Sequence, residues 1–220
     1  MPSWNRSGRA VVFLLAASSI WCLLAEFYGL CSMRAFTFAV LLPATAALAA
    51  MALQDRLRGD GRLWRACLVG AAGGLLGACA YDLFRLPWVL GAAGGIGPEW
   101  LRLPLFKVFP RFGALILGIP FTASQADARF PLSAHLVGWA YHLSNGVTFG
   151  VMYMALVGDA SRRSWLWAVA LATGLELAML ATPYAGFFGI RVTGLFVGVT
   201  FAAHAVFGTA LGLYARRASA

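Results

Sequence analysis

The chain has 220 residues, of which 61% belong to the hydrophobic set AVILMFWYC and 11% are charged, and its formal net charge is +9 at pH 7. Soluble domains are about 45–50% apolar and about 25% charged. This composition therefore excludes secreted disulfide scaffolds, disordered chains and ordinary cytosolic enzymes. The apolar runs are about 20 residues long, which is the length that crosses a bilayer as a helix. The chain is therefore predicted to be an all-α polytopic membrane helical bundle.

Six apolar runs follow one another along the chain, and each is predicted to be a transmembrane helix of a single membrane domain that covers residues 1–220. Each run reaches the roughly 20 residues that a bilayer requires. The first run follows Arg6 and Arg9, but it is too long for the apolar region of a signal peptide, so we treat it as a span. The predicted spans are about 10–30, 35–53, 66–86, 133–157, 165–183 and 193–215.

Residues 87–132 form an insert between the third and fourth spans. The apolar run at 112–122 is too short to cross a bilayer alone. Three prolines, Pro104, Pro110 and Pro120, interrupt any long helix through the insert. We therefore expect an outer-face segment that is interfacial or re-entrant, with its backbone covered by protein.

The distribution of basic residues predicts the orientation of the six spans. With the N-terminus inside, ten Lys and Arg residues lie on the inner side and seven on the outer side, whereas a seven-span arrangement removes this bias. Both termini are therefore expected in the cytoplasm. The basic residues lie at the ends of apolar runs, which indicates topology and not nucleic-acid binding.

Two spans share a motif in which a histidine is followed by glycines at intervals of four residues. These positions lie on one face of a helix, so each histidine begins a smooth groove that allows another helix to approach closely. The motifs are His142-x3-Gly146-x3-Gly150 and His204-x3-Gly208-x3-Gly212.

Three ionisable residues, His142, Glu176 and His204, are predicted to lie at the same depth on three different spans. At 1.5 Å of rise per residue each is roughly 14–17 Å from the membrane surface at which its span begins. Because ionisable groups in spans normally face the bundle interior, we expect these residues to line one polar cavity together with Asn145. A second layer nearer the outer surface would form its mouth, and Asp82 and Arg85 in that layer are spaced to pair. The predicted mouth residues are Glu26, Asp82, Arg85, His135 and Arg191.

The cavity residues also suggest two cofactor alternatives. His142 and His204 could be the two axial ligands of a haem, and with Glu176 they offer the ligand types of a zinc or iron site. However, the glycine-lined faces favour close helix contact over a slot for a macrocycle. The sequence also lacks the His-x3-His and Glu-x2-His spacings of metal-binding helices. No cofactor is therefore predicted.

The C-terminal half resembles the YagU-like bacterial inner-membrane proteins. The matching features are a histidine-bearing span with a following Tyr, a Trp-led span ending at Pro, and a last span with a histidine and a terminal Arg pair. The resemblance implies a bacterial inner-membrane location and names no catalytic residues. The stretches that carry it are SAHLVGWAYHLSNGVTFGVMY, SWLWAVALATGLELAMLATPYAGF and AAHAVFGTALGLYARR.

The function that these observations favour is a transport-type or proton-responsive membrane protein. Imidazole titrates near neutral pH, so histidines in the cavity would suit proton coupling, and the insert 87–132 would cover the cavity. One alternative is a structural or accessory subunit that binds a partner membrane protein or a second copy of itself. The other is a membrane enzyme that depends on a metal or haem. The lipid bilayer is the expected environment in all three cases.

Overall fold

The computed structural model describes residues 4–95, 97–98, 102–122, 124–125 and 129–220. These residues form α-helices joined by short turns, with no β-strand among them, so the all-helical prediction is confirmed. A π-helical turn, Thr37–Leu41, joins α3 to α4, and 3-10 turns occur at Leu105–Lys107 and Ala160–Arg162. The helices are α1 Arg6–Ala16, α2 Ser18–Phe27, α3 Met33–Phe36, α4 Leu42–Arg58, α5 Arg62–Gly94, α6 Val108–Leu117, α7 Leu132–Val157, α8 Leu166–Leu180, α9 Tyr184–Phe187 and α10 Gly194–Ala218.

The chain contains several apolar helices that are compatible with a membrane protein. In the described residues, length and composition identify three helices able to cross a membrane, namely Met33–Arg58, α5 and α10, and a fourth span if α1 and α2, bent by 44°, count as one. At 26 residues α7 is long enough, but His135, His142 and Asn145 lower its hydropathy. At 15 residues α8 is short for a span. These measures therefore do not establish the six predicted spans.

The helices pack closely where glycines face each other. A Cβ atom on Gly150 would lie 1.9 Å from the backbone oxygen of Gly70, and one on Gly74 would lie 2.0 Å from that of Gly146. Helices α5 and α7 are therefore in backbone contact and antiparallel. On α10, a Cβ on Gly208 would lie 2.5 Å from the Cα of Val169 on α8. The prediction that glycine grooves allow close approach is confirmed for both motifs.

The structure differs in part from the predicted bounds of the insert, residues 87–132. Helix α5 continues beyond residue 86, through Pro87, to Gly94, so the first residues of the insert belong to this helix. Of the apolar run 112–122, only the part up to Leu117 is helical, as the end of α6. Helix α6 begins before the run, at Val108, because proline is tolerated in the first helical turn and Pro110 lies there. Within the insert, residues 96, 99–101, 123 and 126–128 lie outside the described residues.

Helix α6 lies against the first half of α7. A Cβ on Gly113 would lie 1.8 Å from the backbone oxygen of Ala134, and one on Gly138 would lie 1.7 Å from that of Phe109. The contacts show that α6 and α7 are antiparallel, so α6 begins beside the middle of the bundle and ends near the start of α7. The segment that leads into α6 passes α5, where the backbone N–H of Leu103 donates to the oxygen of Trp88 at 3.2 Å.

Candidate functional site

Four helices bring the polar residues of the bundle together. Asp82 and Arg85 lie on α5, His142 on α7, Glu176 on α8 and His204 on α10. The close glycine contacts between α5 and α7 and between α8 and α10 determine these positions, because helices without side chains at the contact can bring their flanking residues within bonding distance.

The first polar group is a carboxylate held between a histidine and an arginine. Nε2 of His142 lies 2.9 and 3.1 Å from the two carboxylate oxygens of Asp82, and Nη2 of Arg85 donates to Oδ1 of Asp82 at 2.6 Å. Arg85 is only 4% exposed. A buried guanidinium requires a partner, so Asp82 stabilises Arg85 and also orients the imidazole of His142. The predicted pairing of Asp82 with Arg85 is confirmed.

The second polar group is a glutamate beside a histidine. Oε2 of Glu176 lies 3.4 Å from Nδ1 of His204, and the same nitrogen is 2.9 Å from the backbone oxygen of Thr200. A carbonyl oxygen only accepts, so Nδ1 carries a hydrogen. Nε2 of His204 has no hydrogen-bond partner among the described residues and is therefore the nitrogen that can gain or lose a proton.

Aromatic rings connect the two polar groups. The ring of Tyr81 lies 4.8 Å from that of His204 and 6.0 Å from that of His142, and the Arg85 guanidinium lies 3.9 Å above the Tyr81 ring. On the other side of His142, Phe109 stacks on the imidazole at 4.3 Å. The polar groups therefore share an aromatic wall to which helix α6 contributes.

A cavity of about 770 Å³ opens beside these groups. This volume falls in the range of ligand pockets, about 300–1,000 Å³. The four predicted cavity residues and two of the predicted mouth residues line it, and the carbonyl oxygen Oδ1 of the buried Asn145 has no hydrogen-bond partner within the described part of the chain. These lining residues are His142, Asn145, Glu176, His204, Arg85 and Arg191.

The cavity is electropositive. Among the described residues, its lining contains four Lys and Arg side chains, with Arg102 and Lys107 joining Arg85 and Arg191, and one carboxylate, that of Glu176. Asp82 does not line the cavity but neutralises part of this charge through Arg85. The remaining excess of positive charge favours an anion over a cation as the occupant.

Two predicted mouth residues lie elsewhere. The carboxylate of Glu26 accepts from the backbone N–H of Met33 and so caps the start of α3. His135 lies in the first turn of α7 and is not among the described residues that line the cavity. The sequence predicts only their depth, and depth alone does not determine which way a side chain faces. Their assignment to the mouth is corrected accordingly.

Sequence reasoning did not assign several residues of the site. Tyr81 follows the glycines of α5 and precedes Asp82, so its position was visible in the sequence, but its contacts with two histidines depend on α7 and α10. Phe109 and Lys107 come from the insert, and no local pattern indicates that its residues reach the cavity.

The geometry gives little support to either cofactor alternative, a haem between the two histidines or a zinc or iron site. Among the described residues, no group of three or more His, Cys, Asp and Glu side chains is arranged to hold a metal ion. Tyr81 contacts the imidazoles of both His142 and His204. A haem held between these histidines would have to displace this ring.

Comparison with protein-family models, with characterised proteins and with solved structures finds no match to this chain. The resemblance to the YagU-like proteins therefore remains a prediction from the sequence. The functional argument depends on the geometry of the site.

Proposed function

We propose that this chain is a proton-responsive membrane protein of transport type that binds a small amphipathic anion in the cavity between α5, α7, α8 and α10. The observation that carries the proposal is the convergence of two carboxylate–histidine pairs, Asp82–His142 and Glu176–His204, on one electropositive cavity. We further propose that the protein lies in a bacterial inner membrane with both termini in the cytoplasm.

The proposed topology has six crossings. The bent pair α1–α2 forms the first, the continuous helix Met33–Arg58 the second and α5 the third, followed by α7, α8 and α10. Support comes from the antiparallel contacts of α5 with α7 and of α8 with α10, since consecutive crossings alternate in direction. Helix α6 would be the re-entrant part of the insert, covered on one side by α7.

The ligand class follows from the walls of the cavity. The aromatic rings of Tyr81 and Phe109 and apolar side chains such as Met179 and Phe196 suit an apolar body. Arg191 and Lys107, with Arg85 deeper in the cavity, suit an anionic group. An aromatic or short aliphatic anion satisfies both parts, whereas a cation would meet an excess of positive charge.

Proton coupling would depend on His204. Protonation of Nε2 of His204 would add a positive charge to the wall of the cavity, and the anion would bind more tightly. By linkage, the bound anion would in turn favour the protonated histidine. We therefore expect anion binding to strengthen as the pH falls through the range in which the imidazole titrates.

The test uses benzenesulfonate as the probe and its neutral amide, benzenesulfonamide, as the control ligand. The sulfonate stays ionised throughout, so any pH dependence belongs to the protein. Isothermal titration of the protein in phosphatidylcholine nanodiscs should show tighter binding of benzenesulfonate at about pH 5 than at about pH 8. Proton uptake, measured in buffers of different ionisation enthalpy, should accompany binding.

A matched pair of variants locates the effect. His204→Gln should remove the pH dependence, whereas His135→Gln, which changes a histidine outside the cavity, should retain it. Equal affinity for the sulfonate and the amide, or the same pH dependence in His204→Gln as in the wild type, would refute the proposal. Uptake of benzenesulfonate into proteoliposomes under a pH gradient would then distinguish transport from binding alone.

A further inference from the structure

A second pocket lies at the opposite end of the bundle. It has a volume of about 1030 Å³ and is formed by the first turns of α5, the end of α7 and the turn that follows it, and the end of α10. In the part of the chain that the structure describes, five arginine side chains and one acidic side chain, that of Asp159, line it. The arginines are Arg9, Arg62, Arg65, Arg162 and Arg163.

Three of these arginines have no counterion among the residues that the structure describes. Arg62 pairs with Asp60 at 3.1 Å, and Arg162 pairs with Asp159 at 3.2 Å. A hydrogen bond from the Ser161 hydroxyl keeps the pKa of Asp159 below its usual range, so this carboxylate stays ionised and keeps its ion pair with Arg162. In the described part of the chain, the remaining lining arginines make no ion pair. These three are Arg9, Arg65 and Arg163.

Arg9 is held at the pocket by the turn that ends α7. Gly158 has φ +75°, a conformation that favours glycine, and a Cβ atom there would lie 1.8 Å from Nη1 of Arg9, so the guanidinium lies directly against this turn. The indole N–H of Trp4 donates to the backbone oxygen of Gly158 at 3.1 Å and fixes the same turn. Nε of Arg9 is buried and has no hydrogen-bond partner among the described residues. Such a group is satisfied when an acceptor enters the pocket.

The remaining wall of the pocket is apolar. Ala66 and Val69 of α5 face Met154 and Val157 of α7. In the proposed topology these residues lie on the membrane side of the arginines, at the cytoplasmic surface. A basic rim with an apolar wall matches the two parts of an anionic phospholipid, and basic pockets between helices on this side bind such headgroups.

We propose that this pocket binds a phosphate group, supplied by an anionic phospholipid headgroup or by a soluble phosphate. The planar guanidinium matches the geometry of phosphate oxygens and binds them through paired hydrogen bonds. Arg9, Arg65 and Arg163 supply the charge, and the buried Nε of Arg9 is a donor without an acceptor. This site is separate from the anion cavity and does not depend on the function proposed for it.

Two probes distinguish the sources of the phosphate. The full chain in neutral detergent is titrated with dihexanoyl phosphatidylglycerol and with inorganic phosphate, and dihexanoyl phosphatidylcholine is the zwitterionic control. Tighter binding of phosphatidylglycerol than of inorganic phosphate identifies a lipid site, and the reverse order identifies a soluble phosphate. Either order supports the proposal. Binding of neither probe, or equal binding of both lipids, overturns it.

Matched variants show that the pocket is responsible. Arg65→Gln combined with Arg163→Gln changes only exposed side chains, so the fold should be retained. The affinity for the phosphate probe that binds the wild type should fall about five-fold for each arginine removed. Adding Arg9→Gln should bring the total loss to about 100-fold. An equal loss of affinity in a control triple variant with the same change in charge would overturn the proposal. This control combines Arg58→Gln, Arg216→Gln and Arg217→Gln, none of which lines the pocket.

Discussion

The contact between α5 and α7 can be tested with a single methyl group. In Gly150→Ala the added Cβ would lie 1.9 Å from the backbone oxygen of Gly70, whereas ordinary van der Waals contact begins at 3.4 Å. Neither atom belongs to a flexible side chain, so the two helices must separate locally by roughly 1.5 Å. Overpacking of a well-packed interior typically costs about 1–3 kcal/mol. We expect Gly150→Ala to lower the free energy of unfolding by about this amount.

Gly174→Ala is the matched control. Gly174 also lies within a helix, α8, but a Cβ atom there meets nothing within 4 Å. Alanine is a better helix former than glycine by about 1 kcal/mol, so this variant should be as stable as the wild type or more stable. The two substitutions add the same atoms and should change stability in opposite directions.

The assay is reversible unfolding of the purified protein in mixed micelles of a neutral detergent and sodium dodecyl sulfate. The eight tryptophans supply a fluorescence signal, and circular dichroism measures the loss of helix. If Gly150→Ala unfolds at the same detergent ratio as Gly174→Ala, the backbone contact between α5 and α7 does not exist as described, and the reasoning about the glycine grooves is refuted.

Three further predictions concern the site and the topology. Glu176→Gln should keep the fold and weaken the pH dependence of anion binding, whereas Glu176→Leu should be the less stable of the two because it leaves an imidazole without its polar partner. Arg85→Ala should destabilise the protein by about 3–5 kcal/mol, because it removes one partner of a buried ion pair, and Asp82→Asn should restore part of that loss. The topology is tested in a chain whose native cysteines are replaced by alanine. A membrane-impermeant maleimide should label Arg102→Cys in intact cells. It should label Ser219→Cys only after the cells are permeabilised.

Each of these predictions has a result that would contradict it. Equal stability of the two Glu176 variants would show that this carboxylate has no partner whose loss matters. Failure of Asp82→Asn to recover any stability would show that the cost of Arg85→Ala comes from lost packing and not from an unpaired carboxylate. Labelling of Ser219→Cys in intact cells would reverse the proposed orientation.

A shared cavity for three polar residues could be predicted from the sequence because the rise of a helix is constant. A count of residues from the start of each predicted span gives His142, Glu176 and His204 one expected depth, and all three line the same cavity. The direction in which a side chain faces is a different quantity. It depends on the rotation of each helix about its axis, which the packing of neighbouring helices determines. Glu26 shows the difference, because its carboxylate caps α3 and is not among the described residues that line the cavity.

The partner of His142 was not predictable in the same way. Asp82 was assigned to a shallower layer, and its pairing with Arg85 follows from a spacing of three residues on one helix. Its bond with His142 crosses from α5 to α7. The glycine motifs indicate that each helix has a close neighbour, but they do not identify which neighbour. The contact of Phe109 with His142 is harder still to predict, because it requires the insert to fold back along α7.

The glycine contact between α5 and α7 also bears on whether the protein transports its ligand. Gly146, paired with Gly74, lines the inner end of the anion cavity, and the pair Gly70–Gly150 lies between that end and the arginine pocket, so close backbone contact closes the route between α5 and α7. A transport cycle that uses this route must separate the two helices, and a methyl group on Gly150 would favour the separated state. For a transporter we expect Gly150→Ala to raise the passive leak of benzenesulfonate from proteoliposomes relative to Gly174→Ala. A protein that only binds its ligand would show the same low leak in both variants, and that result would restrict the cavity to binding.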